Sequence, residues 1–421
     1  MAIIINTVYA KAIGLTQGSM GREVGNDIWI STIIATLIGV AMIWLMVVII
    51  RRFPSGDILD QSKALLGGWF SKLICLIILI FFFCSYGVTM ITYVYHLMDY
   101  FLPEAPSYVF VIIAFVVGCY GAYYGIEVIG RMALIGVFSV LALNILLMLG
   151  SLSKFDIYEL LPTFQTGVTS VVWASRHNVA DWAMVTMAAA LLLPHVRSEK
   201  EWARSSVSGV LFAGAFVVMW PILEVGVLSS EVTAQYIVSC MQMARSAKIG
   251  QFIHRYEMIM VAFFAISILT EIMLTFLAAA TIASKLFGTK DYRHMILPVG
   301  AIFSIYGFWI VFDHHRAMDH LEKAWPYASI SIALGIIILF LILGTFMKKK
   351  LDRLNKINDD KNSNIGNGSH TEQSGNTNEN GTPKNNASTG KTKNSDNTGD
   401  NSTTEESGST ENDDNTGNAP A

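Results

Sequence analysis

Long apolar runs, separated by short polar segments, occupy the first 350 positions of the chain. Eight runs are uninterrupted: Ile28–Ile50, Leu73–Met98, Tyr108–Ile126, Met132–Leu152, Ser206–Leu223, Met258–Ala283, Met295–Phe312 and Tyr327–Phe346. Each approaches the roughly 20 residues that a helix needs to cross about 30 Å of hydrocarbon. Two further segments are apolar but interrupted. Ala2–Met20 contains Asn6, Lys11, Thr16 and Gln17, with glycines at Gly14 and Gly18. Val168–Leu193 contains Arg176, His177, Asn178 and Asp181. The pattern predicts an all-α integral membrane protein with ten transmembrane helices over residues 1–350. Beyond Leu351 the chain is rich in Asn, Ser, Thr and Gly. A segment of that kind has too little apolar surface for a core, so residues 351–421 are expected to form a disordered polar tail.

Composition agrees with a membrane protein. The 421 residues are 53% apolar and only 14% charged, with a mean hydropathy of +0.48. The tail carries 6 Lys/Arg and 12 Asp/Glu, while the rest carries 23 and 20. A soluble enzyme, a nucleic-acid binder and a secreted disulfide-rich module are excluded on these grounds. With the N-terminus in the cytoplasm, 16 basic residues fall in inner loops and 7 in outer loops. The positive-inside rule favours that orientation, with both termini cytoplasmic. Two loops carry further pattern. In the inner one, Ile58, Leu59, Leu65, Leu66 and Trp69 share a helical face, which predicts a short helix lying on the inner leaflet. The outer segment 229–255 is long enough for a helix that rests on the membrane or meets a partner.

The interrupted segments are where chemistry is expected. Backbone amides in hydrocarbon must be satisfied internally, so a broken helix survives only where it lines a cavity. Paired breaks at matching places in two repeats mark the binding site of many transporters. The breaks here fall in the first and sixth spans, which suits a five-plus-five inverted repeat. Gly14, Thr16, Gln17 and Gly18 form the first candidate break. The alternative is the end of a short span entering a polar loop. Only 13 residues precede Gly14, about 20 Å as helix, so the true first helix is expected to begin earlier. His177, Asn178 and Asp181 form the second candidate, as ligand or proton sites or as interfacial and structural groups. Arg176 would pair with Asp181 or sit at the outer interface.

Glu271 lies deep in the eighth span beside Thr270. An ionisable group at that depth is a functional-site candidate, near Lys11 or Arg176 or held protonated. A structural hydrogen bond is its alternative. Glu224 reads as interfacial, and Glu127 with Arg131 as a solvated i,i+4 pair. No phosphate loop, nucleophile elbow or metal-ligand spacing is present, so neither a cofactor nor an enzymatic activity is expected.

Four stretches carry a resemblance. They are Gly25-Asn26-Asp27-Ile28-Trp29-Ile30-Ser31; Arg51-Arg52-Phe53-Pro54 with Leu65-Leu66-Gly67-Gly68-Trp69; Ile249-Gly250-Gln251-Phe252-Ile253-His254-Arg255-Tyr256-Glu257; and Leu286-Phe287-Gly288-Thr289-Lys290-Asp291-Tyr292-Arg293 with Leu297-Pro298. In this order the chain resembles the B subunits of spore germinant receptors. The resemblance implies a fold similar to amino-acid permeases of the amino acid–polyamine–organocation superfamily. It implies a place in the spore inner membrane beside A-type and C-type (lipoprotein) subunits. It also implies a small nutrient ligand, such as an amino acid, held between the first and sixth spans and read out as a germination signal. A proton-coupled amino-acid transporter, with Glu271 carrying the proton, is the alternative.

Overall fold

The computed structural model describes residues 1–12, 15–52, 56–193, 199–247 and 256–353, and the side chains of these except 11–12, 199–200 and 256. The expectations for Gly14, the Lys11 side chain, Phe53-Pro54, residues 249–255 and most of the tail lie outside the described residues.

Among the described residues all regular structure is helical. In chain order the helices are α1 (Ala2–Ala12), α2 (Leu15–Val24), α3 (Ile28–Arg51), α4 (Ile58–Leu66), α5 (Gly68–Tyr100), α6 (Ser107–Tyr124), α7 (Ile126–Ser151) and α8 (Val168–Ala174). They continue with α9 (Arg176–Leu192), α10 (Glu199–Leu228), α11 (Ser230–Gln235), α12 (Ser239–Ser246), α13 (Tyr256–Phe287), α14 (Arg293–Val311), α15 (His314–Asp319) and α16 (Trp325–Phe346). A π-helical turn, His320–Ala324, joins α15 to α16.

Among the described residues eight helical stretches are long and apolar enough to cross a membrane, where the hydropathy pattern predicts ten. The difference lies in the two interrupted segments. The described residues of the first fall in α1, of 11 residues, and α2, on either side of residues 13–14, which lie outside the described residues. The second is divided at Ser175 between α8 and α9, of 7 and 17 residues. α2 runs through a short 3-10 turn into α3. Gly25 sits at φ +56 there, in the left-handed region that glycine adopts without penalty, so the chain changes direction.

The core runs through the helical bundle. Trp182, Trp202, Trp220 and Trp325 are wholly buried, while Leu37, Phe138, Ile305 and Phe346 are more than half exposed. An apolar outer surface on that scale fits hydrocarbon rather than water. α13 packs against α1, α5, α6, α7 and α14, and α3 packs against α9 and α10. Polar side chains join the buried helices. Asn6 Nδ2 donates to the Ser267 carbonyl at 3.0 Å, and Ser267 Oγ returns a bond to Asn6 Oδ1 at 2.8 Å. Tyr9 donates to Asn144 Oδ1 at 2.9 Å and accepts from Trp220 Nε1 at 3.0 Å. Such bonds act as glue between membrane helices, typically at about 0.6 kcal/mol each.

Three expectations are corrected. α4 does not lie with its apolar face on the leaflet: Ile58, Leu59 and Leu65 are buried inside the protein, with Gln61 and Ser62 beside them, while Trp69 belongs to α5 and is 78% exposed. Lys285 clamps α4 to the end of α13 through Asp57 at 2.6 Å and Asp60 at 2.8 Å. The outer segment does not rest on the membrane: α11 packs on α2, and α12 on α10 and α13. Glu224 is not interfacial but wholly buried, accepting a bond from Ser239 Oγ at 2.5 Å.

The resemblance motifs acquire physical roles. The Asp27 carboxylate takes the backbone N–H of Phe164 at 2.8 and 2.9 Å, and Asn26 Nδ2 donates to the Leu161 carbonyl. The turn before α3 thereby holds the loop that leads to α8. Gly288, at φ +74, ends α13 in the left-handed conformation favoured just past a helix C-terminus.

Candidate functional site

Thr16, Gln17, Ser19 and Met20 of α2 are buried. Thr16 Oγ1 donates to Asp181 Oδ2 on α9 at 3.2 Å. Both are buried, as is His177 one turn earlier on α9. These three, with Ser19, Leu321 and Trp325, line a small space between α2, α9 and the start of α16. It measures about 10 Å³, room for one water at most. The site is therefore closed in this conformation.

Ion pairs close it on the side of the second end of α2. Arg176 grips Glu23 with both terminal nitrogens, at 2.5 and 2.6 Å, and lies over the Trp173 ring at 5.0 Å. His177 Nε2 lies 3.1 Å from the same carboxylate, which an Nε2-protonated ring satisfies as donor. Arg22 pairs with Glu322 of the π-helical turn, donates to the Ala234 carbonyl of α11 at 3.1 Å, and donates to Ser19 at 3.2 Å. Ser19 in turn donates to Glu322 at 3.2 Å. α2 is thus tied to α9, to α11 and to the approach to α16. π-helical turns recur at functional sites because they shift the register of the residues that follow.

The structure brings together part of the predicted set. Thr16, His177 and Asp181 line the space, and Gln17 is buried on the same helix turn. Gly18 faces α11, where a Cβ would collide with the Tyr236 carbonyl oxygen. Asn178 points to α3 and accepts from Thr32 Oγ1 at 3.2 Å. Thr270 bonds the Ile266 carbonyl of its own helix at 2.7 Å. Glu271 is wholly buried and accepts from Thr89 of α5 at 2.9 Å. Arg176 pairs with Glu23 rather than Asp181, which corrects that expectation. Ser19, Arg22, Glu23, Leu321, Glu322 and Trp325 were not anticipated. In sequence Arg22 reads as an outer-loop charge, and a lone sequence does not signal which charge it meets.

Chemically, the arrangement offers a carboxylate, an imidazole and two hydroxyls around one small space. That set suits a small molecule carrying both a cation and an anion.

The fold is that of a membrane transporter. A nucleobase-cation-symport-1 family transporter in a closed conformation with bromovinylhydantoin bound superposes with a TM-score of 0.61 at 12% identity, over 80% of this chain and 76% of its own. MhsT in complex with L-phenylalanine gives 0.54 at 16% identity, over 81% and 98%. Residues 1–315 match the spore germination protein family, a family of spore permeases, and the chain belongs to it. Among its relatives, spore germination protein YndE of Bacillus subtilis (strain 168) is 23% identical, over 72% of this chain and 84% of its own length. Spore germination protein KB of the same strain is 21% identical, over 83% and 94%. Spore germination protein GerQB of Bacillus cereus is 25% identical, over 74% and 86%.

Proposed function

We propose that this chain is the nutrient-binding membrane subunit of a spore germinant receptor. The observation that carries the reading is the Thr16–Asp181 bond, which joins the two interrupted segments at the mouth of a closed space. A small nutrient such as an amino acid would enter there, its ammonium on Asp181 and its carboxylate on the hydroxyl side of the space, at Thr16 and Ser19. Binding would replace the Thr16–Asp181 bond and alter the balance of the Glu23 and Glu322 clamps. That change would pass to A-type and C-type lipoprotein subunits as a population shift. The names of the relatives support a role in spore germination. The L-phenylalanine complex of MhsT supports a ligand of amino-acid size. In this reading the molecule is not an enzyme. α1/α2 and α8/α9 count as the first and sixth of ten spans in a five-plus-five arrangement, and both termini face the cytoplasm of the spore inner membrane.

A second reading rests on Glu271. A buried carboxylate held by Thr89 in mid-membrane could carry a coupling proton, making the protein a proton-coupled amino-acid transporter. Deleting the gene and measuring germination across a nutrient panel, with amino-acid uptake by growing cells, separates the two. Loss of response to one nutrient class with normal uptake supports the receptor. Lost uptake with normal germination would overturn it.

A further inference from the structure

We propose that the recess between the ends of α3 and α16 binds a phosphate group, that of an anionic phospholipid headgroup. α3 ends in Arg51 and is capped by Arg52. α16 ends at Phe346, and a helical turn over 348–353 follows. Between them lies a cavity of about 320 Å³ onto which Arg51, Arg52, Lys348 and Thr345 face, with Asp352 beside them. Among the described residues three cations face the recess against one carboxylate, a balance that favours an anion, while the Thr345 hydroxyl donates to the Leu341 carbonyl at 2.7 Å. Arginine's planar fork matches phosphate oxygens two at a time.

The recess is built rather than incidental. Gly344 has no Cβ, and the Arg52 guanidinium lies in the space one would fill, donating to the Leu341 carbonyl at 3.1 Å. Alanine at 344 would push that guanidinium out. The turn bearing Lys348 is anchored from behind: Leu351 is buried against Leu65, and Lys350 Nζ donates to the Leu65 carbonyl at 3.0 Å. Cations at two helix C-termini would cap the helix dipoles on their own account. Capping does not call for a shared recess with an anchored wall.

Position names the source. Ile342 and Phe346, next to the recess on α16, are 50% and 86% exposed and belong to the apolar surface that meets hydrocarbon. The cations begin where that surface stops, at headgroup depth. Basic pockets between membrane helices take anionic headgroups for this reason. Free phosphate shares the chemistry but has no acyl chain to lay along Phe346.

The test uses the full chain in a neutral detergent, with its melting temperature followed as dioleoylphosphatidylglycerol, dioleoylphosphatidylcholine or inorganic phosphate is added. The phosphatidylglycerol should stabilise saturably and the phosphatidylcholine should not. Arg51→Gln combined with Lys348→Gln should weaken the apparent affinity about thirtyfold. Asp352→Asn adds no bulk and should tighten it, which keeps the test decisive should the double variant not fold. Stabilisation by inorganic phosphate alone, lost in the double variant, would assign the same site to the free ion and overturn the lipid as its source. Equal stabilisation by both lipids, or affinity unmoved by Asp352→Asn, would overturn the site itself.

Discussion

Thr16 on α2 donates a 3.2 Å hydrogen bond to Asp181 on α9, across 165 residues of sequence. One oxygen of Asp181 therefore holds two interrupted segments together while the site is closed. A ligand cation that takes this Asp181 oxygen would compete with the threonine for it. The bond so becomes a link between occupancy and the packing of α2.

That relationship gives the first prediction. Asp181→Asn removes the charge a ligand cation would meet and leaves the shape unchanged. A hydrogen bond to a charged group contributes about 1.5–3 kcal/mol, roughly 10- to 100-fold in affinity. The half-maximal nutrient concentration for spore germination should rise by that factor, at unchanged protein level on immunoblots. Thr16→Val should move it less, and in the opposite direction if the bond mainly holds the site closed. An unchanged dose response in Asp181→Asn would remove the residue from the binding site.

The clamp on the other end of α2 gives the second. Glu23 is the shared partner of Arg176 and His177, and the Arg176 side chain is only 15% exposed. Glu23→Gln leaves a largely buried guanidinium without its countercharge. A fully buried pair would lose 3–5 kcal/mol, but Glu23 is 33% exposed, so solvent lowers the expected loss to about 1–2 kcal/mol. Arg176→Lys keeps the charge but loses the fork and the stacking on Trp173, and should fall between. Melting temperatures of the purified variants in one detergent would rank them. The exposed pair Glu127–Arg131, 75–76% accessible, is the control and should change little on removal.

How much of this was legible beforehand follows from the kind of information each feature needs. Span positions are a bulk property of about 20 residues, and hydropathy marks them directly. The polar residues of the two interrupted segments pointed to Thr16, His177 and Asp181, which do meet around one space. Partner choice is not a local property. Nothing in the sequence states that Glu23 meets Arg176 or that Glu322 meets Arg22. The amphipathic pattern put Ile58, Leu59 and Leu65 on one buried face of α4 but also Trp69, which is exposed on α5, and periodicity does not say whether lipid or protein covers a face. Glu271 was placed at depth by its neighbours, whereas its bond to Thr89 on α5 required the fold.

Gly18 gives a third prediction. A methyl group there would run into the Tyr236 carbonyl at the end of α11, a backbone atom that cannot rotate aside. Overpacking of this kind costs about 1–3 kcal/mol. Gly18→Ala should push α11 away from α2 and loosen the Arg22 contact with Ala234, one turn further along α2. Hydrogen exchange of the 230–235 backbone should rise in the variant. Unchanged protection would show that α11 and α2 are not coupled through this contact.

The corner where α4 meets α13 gives the last, and its sign can be worked out. Asp57 caps α4, its carboxylate accepting from the Leu59 and Asp60 backbone N–H groups, and shares the Lys285 ammonium with Asp60. Burial is the largest influence on Asp57 and raises its carboxyl above the ordinary value; Lys285 opposes the shift and Asp60 adds to it. A raised carboxyl binds its proton more tightly in the folded chain than in the unfolded one. The stability tied to that proton is complete below the ordinary aspartate range, and it is lost as pH rises through the raised folded value. The wild-type chain should therefore gain on Asp57→Asn as pH falls from neutral toward 4, since asparagine caps a helix about as well but does not titrate. Asp57→Ala loses the cap as well and should sit about 1 kcal/mol lower than Asp57→Asn at neutral pH. Melting curves of the three proteins between pH 4 and 7 check both statements. A gap between wild type and Asp57→Asn that widens in favour of the wild type with rising pH would mean that Lys285, not burial, governs this carboxylate.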